Sequence, residues 1–273
     1  MTRAAPYLLL DAGGTLVCPN VDVLLQASHE HGYALDPGSL ISSFFARVHR
    51  FDGRLRDQGS DAEAGSFLPD VLVLAGVGRG DASLIVEEAI GLSGGRSLWA
   101  YPLPGVEDAL GDLHAAGYRM SVVSNSDGTV MQQMADLDLS IYFERVFDSA
   151  ILGIAKPDPG IFRRVLADLD LAPGDCLYTG DVVMVDVVCA NACRIPAVHL
   201  DPLGLYGSWP GYRTKDLPTL ARMLARRSFQ FRQRSRWDRY FASLPRDRSS
   251  WDSALPRPIW WSSRLTEGVR PRI

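Results

Sequence analysis

Between residues 98 and 224 the sequence alternates amphipathic helical patterns with short apolar segments rich in β-branched residues. Together with an apolar run at 7–10, these segments are predicted strands at 120–123, 146–147, 176–179 and 197–200. The helical patterns lie at 106–116, 129–137, 159–169, 184–192 and 217–225. Strands that are joined through helices by short connections predict a parallel sheet covered on both faces. The predicted fold class is therefore α/β.

Polar residues follow the predicted strands at four places. Asp11 comes directly after the first strand, and Ser124-Asn125 ends the strand at 120–123. A Lys-Pro-Asp-Pro-Gly-Ile-Phe run that begins at Lys156 precedes a helix, and Asp181 and Asp186 follow the strand at 176–179. Taken singly, each has an ordinary explanation as a helix cap, a turn or a solvated charge. Because the carboxyl ends of parallel strands share one edge, we expect these residues to meet there.

This ordered set resembles the haloacid dehalogenase-like (HAD) superfamily of hydrolases over roughly residues 6–225. Two of these motifs, the run that begins at Lys156 and the Gly-Asp…Asp pattern at 180–186, resemble those of one subgroup of the superfamily. Proteins of that subgroup carry a helical cap between their first two motifs. The resemblance implies a Rossmann-like core formed by residues 1–17 and 98–227. It also implies a Mg²⁺ cofactor and hydrolysis of a small phosphorylated substrate through a phosphoaspartyl intermediate.

Residues 18–97 carry helical patterns at 21–32, 39–56, 67–74 and 81–92, with glycine-rich breaks and no convincing strand. We interpret this segment as a helical cap domain, because it begins close to Asp11. A helical layer packed permanently on the core is the alternative. His29 and His31 are expected at the surface, and Arg47, Arg54 and Arg56 are expected to be solvated helix charges.

The resemblance assigns the metal ligands. Asp11 would be the nucleophile, and its second oxygen would bind Mg²⁺ together with the backbone carbonyl of Gly13 and the carboxylate of Asp181. Asp186 would hold a metal-bound water or steady Lys156. Hard oxygen ligands of this kind suit Mg²⁺.

The resemblance also assigns the phosphoryl contacts. Lys156 would neutralise both Asp11 and the phosphoryl group. The Ser124 hydroxyl and the Asn125 backbone N–H would bind phosphoryl oxygens. A carboxylate that attacks a phosphate dianion is repelled by it, so positioning and charge stabilisation dominate this chemistry.

Gly13 departs from the family pattern. Phosphatases of the family carry a second Asp at this position, which protonates the leaving group and then activates water. General acid–base catalysis contributes roughly 10²–10⁴-fold, or about 3–5 kcal/mol of barrier. Three outcomes are open: slow turnover of esters with good leaving groups, substitution by His29 or His31, or binding without turnover.

The halide-releasing branch of the family is a further alternative. It also lacks the second Asp, but it usually carries Tyr there and does not need the metal. Gly13 supplies no ring, whereas the Asp181 and Asp186 pair favours a metal and therefore phosphate.

Charge is distributed unevenly along the chain. The net charge is −4, but residues 228–273 contain ten Arg, no Lys and four acids, so they carry +6 and residues 1–227 carry −10. An acidic body makes nucleic acid an unfavourable partner for the core. The segment 228–273 holds four Trp and no apolar periodicity, so we expect a loosely ordered extension. The alternative is an Arg/aromatic segment that contacts an acidic or phosphate-bearing partner.

Composition limits the cellular setting. No stretch approaches the roughly 18 apolar residues that a membrane span requires, and the first apolar run is too short for a secretory signal. The four cysteines form no CxxC pair. We therefore expect a cytoplasmic protein without a disulfide framework.

Overall fold

The computed structural model describes residues 5–59, 66–207 and 211–226. The expectations for the extension 228–273 lie outside the described residues. Within them, no helix is long and apolar enough to cross a bilayer. All four cysteine thiols are free.

The strands confirm the predicted α/β class. They are β1 (Tyr7–Leu10), β2 (Val17–Cys18), β3 (Tyr101–Pro102), β4 (Met120–Ser124), β5 (Arg145–Asp148), β6 (Cys176–Gly180), β7 (Ala197–Leu200) and β8 (Tyr212–Thr214). Six of them form one sheet in the order β5-β4-β1-β6-β7-β8, and every neighbouring pair is parallel. Leu10 of β1 pairs with Val122 of β4 on one side and with Thr179 of β6 on the other.

Both faces of the sheet are buried, which explains why its strands are continuous apolar runs. Leu8 and Leu10 belong to one hydrophobic cluster, whereas Tyr7 and Leu9 belong to a second cluster. This division follows from the alternation of side chains along a strand.

The helices that follow β3 are α5 (Val106–Ala115), α6 (Val130–Asp136), α7 (Ser149–Leu152), α8 (Gly160–Leu169), α9 (Val188–Ala192) and α10 (Leu217–Ala225). A π-helical turn at Val183–Val187 leads directly into α9.

The insertion at 18–97 is helical, as predicted. Its helices are α1 (Val21–Glu30), α2 (Pro37–Gln58), α3 (Phe67–Leu74) and α4 (Arg79–Leu92). Side-chain caps fix two of the starts: Asn20 accepts the N–H of Val23, and Asp36 accepts the N–H of Ser39.

Three short strands were not predicted. β2 and β3 pair antiparallel on either side of the insertion, so the expectation of no strand within 18–97 was wrong at Cys18. β8 adds a sixth strand beside β7. Strands of two or three residues are too short to show a periodicity, so the sequence carries no signal for them.

The expectation that Arg47 is a solvated charge was wrong. Its side chain is 0% exposed, and its Nε lies 3.0 Å from Asp70 Oδ2. The guanidinium carbon also lies 4.9 Å from the centre of the Phe67 ring. Arg47 lies between Phe44 and Phe51 on the buried face of α2, a position that helical spacing alone would have assigned to the core.

The other insertion charges are less buried. Arg54 is half-buried and Arg56 is exposed, where it pairs with Asp57. His29 and His31 are exposed, as expected. The Nε2 atom of His31 lies 2.7 Å from Glu88 Oε2.

Candidate functional site

The carboxyl edge of the sheet brings together residues that are far apart in the sequence. Lys156 Nζ lies 2.8 Å from Asp11 Oδ1 and 2.7 Å from Asp186 Oδ1. Asp11 is 8% exposed, Lys156 3% and Asp186 1%. β1 lies between β4 and β6, where the strand order reverses, which is the usual ligand position in an open α/β sheet.

The carboxylates of Asp11, Asp181 and Asp186 form a buried acidic cluster. One oxygen from each lies within 4.8 Å of the others. Burial raises the pKa of Asp11 to about 6, although the ammonium group of Lys156 opposes this shift. Burial, followed by the charges of Asp186 and Asp11, raises the pKa of Asp181 well above its usual range. Burial lowers the pKa of Lys156, but Asp11 and Asp186 outweigh burial and leave that pKa raised.

The charge balance of this cluster fits a divalent cation. Three carboxylates face one ammonium group, so the fully ionised cluster would carry two uncompensated negative charges in a buried site. Isolated buried charges are strongly unfavourable, and hard oxygen donors are the ligands that Mg²⁺ prefers. The donor set therefore fits Mg²⁺, while the role of the Gly13 carbonyl stays a prediction.

Two glycines allow the acidic cluster to lie against the backbone. Gly14 has φ +71°, and a Cβ atom there would overlap the Asp181 carboxylate. A Cβ atom at Gly180 would overlap the Asp186 carboxylate. Any side chain at either position would therefore displace a carboxylate of the cluster.

Tyr178 is a site residue that the sequence did not reveal. Its hydroxyl accepts a hydrogen bond from Lys156 Nζ at 2.7 Å and donates one to Asp186 Oδ1 at 2.6 Å. From the sequence, Tyr178 was predicted only as a core residue of the strand at 176–179. The available signal was general: a buried tyrosine hydroxyl usually has a hydrogen-bond partner.

Asn125 holds the backbone of Lys156 with its side chain. Its Nδ2 donates to the Lys156 carbonyl at 2.7 Å, and its Oδ1 accepts the Lys156 N–H at 2.8 Å. Ser124 is buried at the carboxyl end of β4, beside β1. The phosphoryl contacts expected of the Ser124 hydroxyl and the Asn125 N–H stay predictions.

An aromatic residue lies against the position of the missing acid. A Cβ atom at Gly13 would lie 3.3 Å from Trp99 Cζ3 and 3.5 Å from its Cε3. The Trp99 ring packs edge-on against Phe44 at 5.7 Å between centroids, and its centroid lies 6.4 Å from that of Phe67. We call Phe44, Phe67 and Trp99 the aromatic cluster. Gly13 thus faces an apolar surface that the insertion helps to build.

Asp52, on α2 of the insertion, is a second residue that the sequence did not reveal. It is 0% exposed, and it accepts the backbone N–H groups of Val183 at 2.7 Å and Met184 at 2.8 Å. Burial raises the pKa of Asp52 to about 7, although these two hydrogen bonds act in the opposite direction. Asp52 lies on the same helical face as Val48 and Leu55, so its burial was foreseeable but its partners were not.

Sequence comparison identifies the family. The model of haloacid dehalogenase-like hydrolases matches residues 7–193, and the chain belongs to this family. Human haloacid dehalogenase-like hydrolase domain-containing protein 3 is 27% identical over 164 residues, which cover 57% of this chain and 64% of that protein. The glyceraldehyde 3-phosphate phosphatase of Pyrococcus furiosus is 28% identical over 133 residues, which cover 45% of this chain and 55% of that enzyme.

A third relative is the phosphoserine phosphatase of Thermus thermophilus, which is 30% identical over 103 residues, or 37% of this chain and 41% of that enzyme. The chain thus spans less than two thirds of the length of these curated relatives. Among solved structures, the HAD hydrolase YfnB of Bacillus subtilis, bound to magnesium, superposes with a TM-score of 0.56 at 16% identity. That superposition covers 81% of this chain and 99% of YfnB, and it supports the fold.

Proposed function

We propose that this chain is a Mg²⁺-dependent phosphatase that hydrolyses a small phosphorylated metabolite through an aspartyl phosphate on Asp11. The observation that carries the proposal is the 2.8 Å contact of Lys156 Nζ with Asp11 Oδ1 inside the acidic cluster. The names of the Pyrococcus and Thermus relatives, both phosphatases, support this reaction class.

The proposed reaction has two steps. A carboxylate oxygen of Asp11 attacks the phosphorus, and the bond from phosphorus to the leaving oxygen breaks with its electron pair on the leaving group. Water then attacks the phosphorus of the acyl phosphate, which releases phosphate and a proton and restores Asp11. The buried ammonium of Lys156 offsets the negative charge of both partners throughout. When Mg²⁺ is bound by Asp11, Asp181 and Asp186, it supplies further compensation of the phosphoryl charge.

Gly13 sets the expected rate and leaving-group preference. Without an acid at this position, the leaving group departs as an anion, so esters of weakly basic alcohols are favoured. Loss of acid–base assistance costs roughly 10²–10⁴-fold in rate. His29 and His31 are exposed in the structure, which offers no support for either as a substitute.

The proposed domain organisation has a core formed by 1–17 and 98–227 and a cap formed by 18–97. The position of the aromatic cluster beside Gly13 supports a cap role, because Phe44 and Phe67 come from the insertion and Trp99 follows it. A cytoplasmic location and an acidic partner for 228–273 remain predictions from composition.

Hydrolysis of p-nitrophenyl phosphate, with Mg²⁺ or with EDTA, tests the proposed function. We expect slow Mg²⁺-dependent release in the wild type and at least a hundredfold loss in Asp11→Asn, because the amide is a poor nucleophile. Asp57→Asn, which changes an exposed acid on α2, is the matched control and should match the wild type. Equal phosphate release by the wild type and Asp11→Asn would rule out the proposed enzyme.

A module that binds phosphate without turnover is the second candidate. The Trp99 ring beside Gly13 favours it, because the ring restricts the space where an acid would act. This candidate predicts that inorganic phosphate raises the melting temperature in the presence of Mg²⁺, with no release from a broad panel of phosphate esters. The uncompensated charge of the acidic cluster favours metal, and hence phosphate, over the 2-haloacid alternative.

A further inference from the structure

Asp52 connects the helical insertion to the loop that carries two residues of the acidic cluster. The loop runs from the end of β6 through the π-helical turn, and it places Asp181 before Val183 and Asp186 three residues after it. Asp52 reaches this loop from α2, more than a hundred positions earlier in the chain. These two hydrogen bonds end between Asp181 and Asp186.

Two carboxylates share the N–H groups at the start of this turn. Val182 donates its N–H to Asp186 Oδ2 at 3.0 Å, whereas the next two N–H groups donate to Asp52 at 2.7 and 2.8 Å. The first N–H groups of any helical turn lack partners within the turn. Asp52 therefore acts as an N-terminal cap that is supplied by another part of the chain, and Asp186 is held by the same turn.

A second connection from α2 to the same loop is indirect and passes through two aromatic rings. His49 packs edge-on against Tyr206 with 4.7 Å between ring centroids, and Tyr206 packs edge-on against His199 at 4.3 Å. His199 Nε2 donates to the backbone carbonyl of Asp181 at 2.8 Å. One face of α2 thus contacts the loop directly through Asp52, and a neighbouring position reaches the Asp181 backbone through two rings.

We propose that Asp52 is a positioning residue that fixes the loop between Asp181 and Asp186, so that cation affinity depends on the docking of α2 onto the core. The proposal rests on the proposed function only in taking the acidic cluster as the Mg²⁺ site. Outer residues that orient metal ligands typically change metal affinity by about 10–100-fold when they are replaced. The insertion thereby shapes the metal site as well as the aromatic cluster.

Calorimetric titration of the full chain with Mg²⁺ alone, without substrate, tests this proposal. We expect Asp52→Ala to weaken Mg²⁺ binding by about tenfold or more, because both loop N–H groups lose their acceptor. Asp52→Asn keeps one acceptor oxygen and should fall between Asp52→Ala and the wild type. Asp57→Asn on the same helix is the exposed control and should bind as the wild type does.

Steady-state assays add a second measurement. In the Asp52 variants the Mg²⁺ concentration for half-maximal phosphate release should rise, while the substrate KM at saturating Mg²⁺ should stay unchanged. A merely structural role would lower the melting temperature in EDTA without changing Mg²⁺ affinity, and that result would overturn the proposal. If Asp52→Ala does not fold, the Mg²⁺ titration is carried out on Asp52→Asn and His49→Leu instead.

The outcomes separate this proposal from the proposed function. If Mg²⁺ affinity depends on Asp52 but no ester is hydrolysed, the positioning role stands and the phosphatase fails. If hydrolysis requires Asp11 and Mg²⁺ but the Asp52 variants bind Mg²⁺ within twofold of the wild type, the positioning role fails alone. Absence of Mg²⁺ binding in the wild type would overturn both.

Discussion

At the scale of single residues, Gly13 and Trp99 belong together. A Cβ atom at position 13 would lie 3.3 Å from the Trp99 ring, closer than an ordinary van der Waals contact, so the ring would have to shift slightly. The Trp99 ring already packs on Phe44, which limits how far it can shift. Restoring the acid therefore requires that the ring moves or is removed.

We accordingly expect Gly13→Asp alone to give little gain in turnover of alkyl phosphates. Gly13→Asp combined with Trp99→Ala should raise kcat on alkyl phosphates by about tenfold or more, because an acid that protonates the leaving group contributes roughly 10²–10⁴-fold. The same variant should gain less on p-nitrophenyl phosphate, whose leaving group needs little protonation.

Rates measured on both ester classes check this prediction, with Trp99→Ala alone as the control. A full gain from Gly13→Asp alone would show that Trp99 does not restrict the site. No gain in the double variant would show that the missing acid does not limit turnover.

Four of the predicted site residues have signals that are local. Asp11, Lys156, Asp181 and Asp186 stand at predicted strand ends or beside a helix start, within motifs of fixed spacing, and the structure brings them together. Tyr178, Asp52 and Trp99 gave no such signal. Their roles arise from contacts across 8 to 132 positions or from packing against a glycine, and a single sequence does not encode which of these residues meet.

At the scale of elements, two arginines on the same helix, α2, differ in burial. Arg47 is fully buried and paired with Asp70, whereas Arg56 is exposed and paired with its neighbour Asp57. The helical pattern at 39–56 predicted the element, and its spacing places position 47 on the apolar face, although the residue type suggested a solvated charge. Both residues occupy the same helix, so they form a matched pair for measuring what burial contributes.

We expect Arg47→Ala to lower the free energy of unfolding by about 3 kcal/mol, because it leaves a partly buried Asp70 carboxylate without its cationic partner and removes packing on Phe67. Arg56→Ala should leave stability nearly unchanged, since exposed pairs contribute little. Urea unfolding followed by circular dichroism measures both. Equal losses in the two variants would contradict the burial of Arg47.

At the scale of the whole molecule, five strands of the parallel sheet were predictable, whereas its edge strand β8 and the separate β2–β3 pair were not. Five of the six sheet strands contain an apolar segment that is at least partly buried on both faces of the sheet. The sequence predicted all five of these strands. β8 is held by pairing with β7, and β2 and β3 are held by pairing with each other, rather than by a pattern of their own. Local periodicity therefore predicted the core layer, and tertiary pairing determined the rest.

The charge of the acidic cluster makes global stability depend on the cation. A ligand at a hundred times its Kd stabilises a protein by about 2.7 kcal/mol, so saturating Mg²⁺ should raise the melting temperature relative to EDTA by several degrees. Asp181→Asn should remove most of this shift, because it removes one carboxylate of the cluster. Thermal unfolding in Mg²⁺ and in EDTA measures the difference. An equal Mg²⁺ shift in the wild type and Asp181→Asn would place the cation elsewhere.

The most direct measurement of phosphoryl transfer to Asp11 is chemical trapping of the intermediate. Without an acid–base residue at Gly13, the aspartyl phosphate should persist long enough to be quenched during turnover of p-nitrophenyl phosphate. Borohydride reduces an acyl phosphate to an alcohol, so peptide mass spectrometry should find homoserine at position 11 only when both Mg²⁺ and substrate were present. Phosphate release with an unmodified Asp11, or with the label on another carboxylate, would contradict transfer to Asp11.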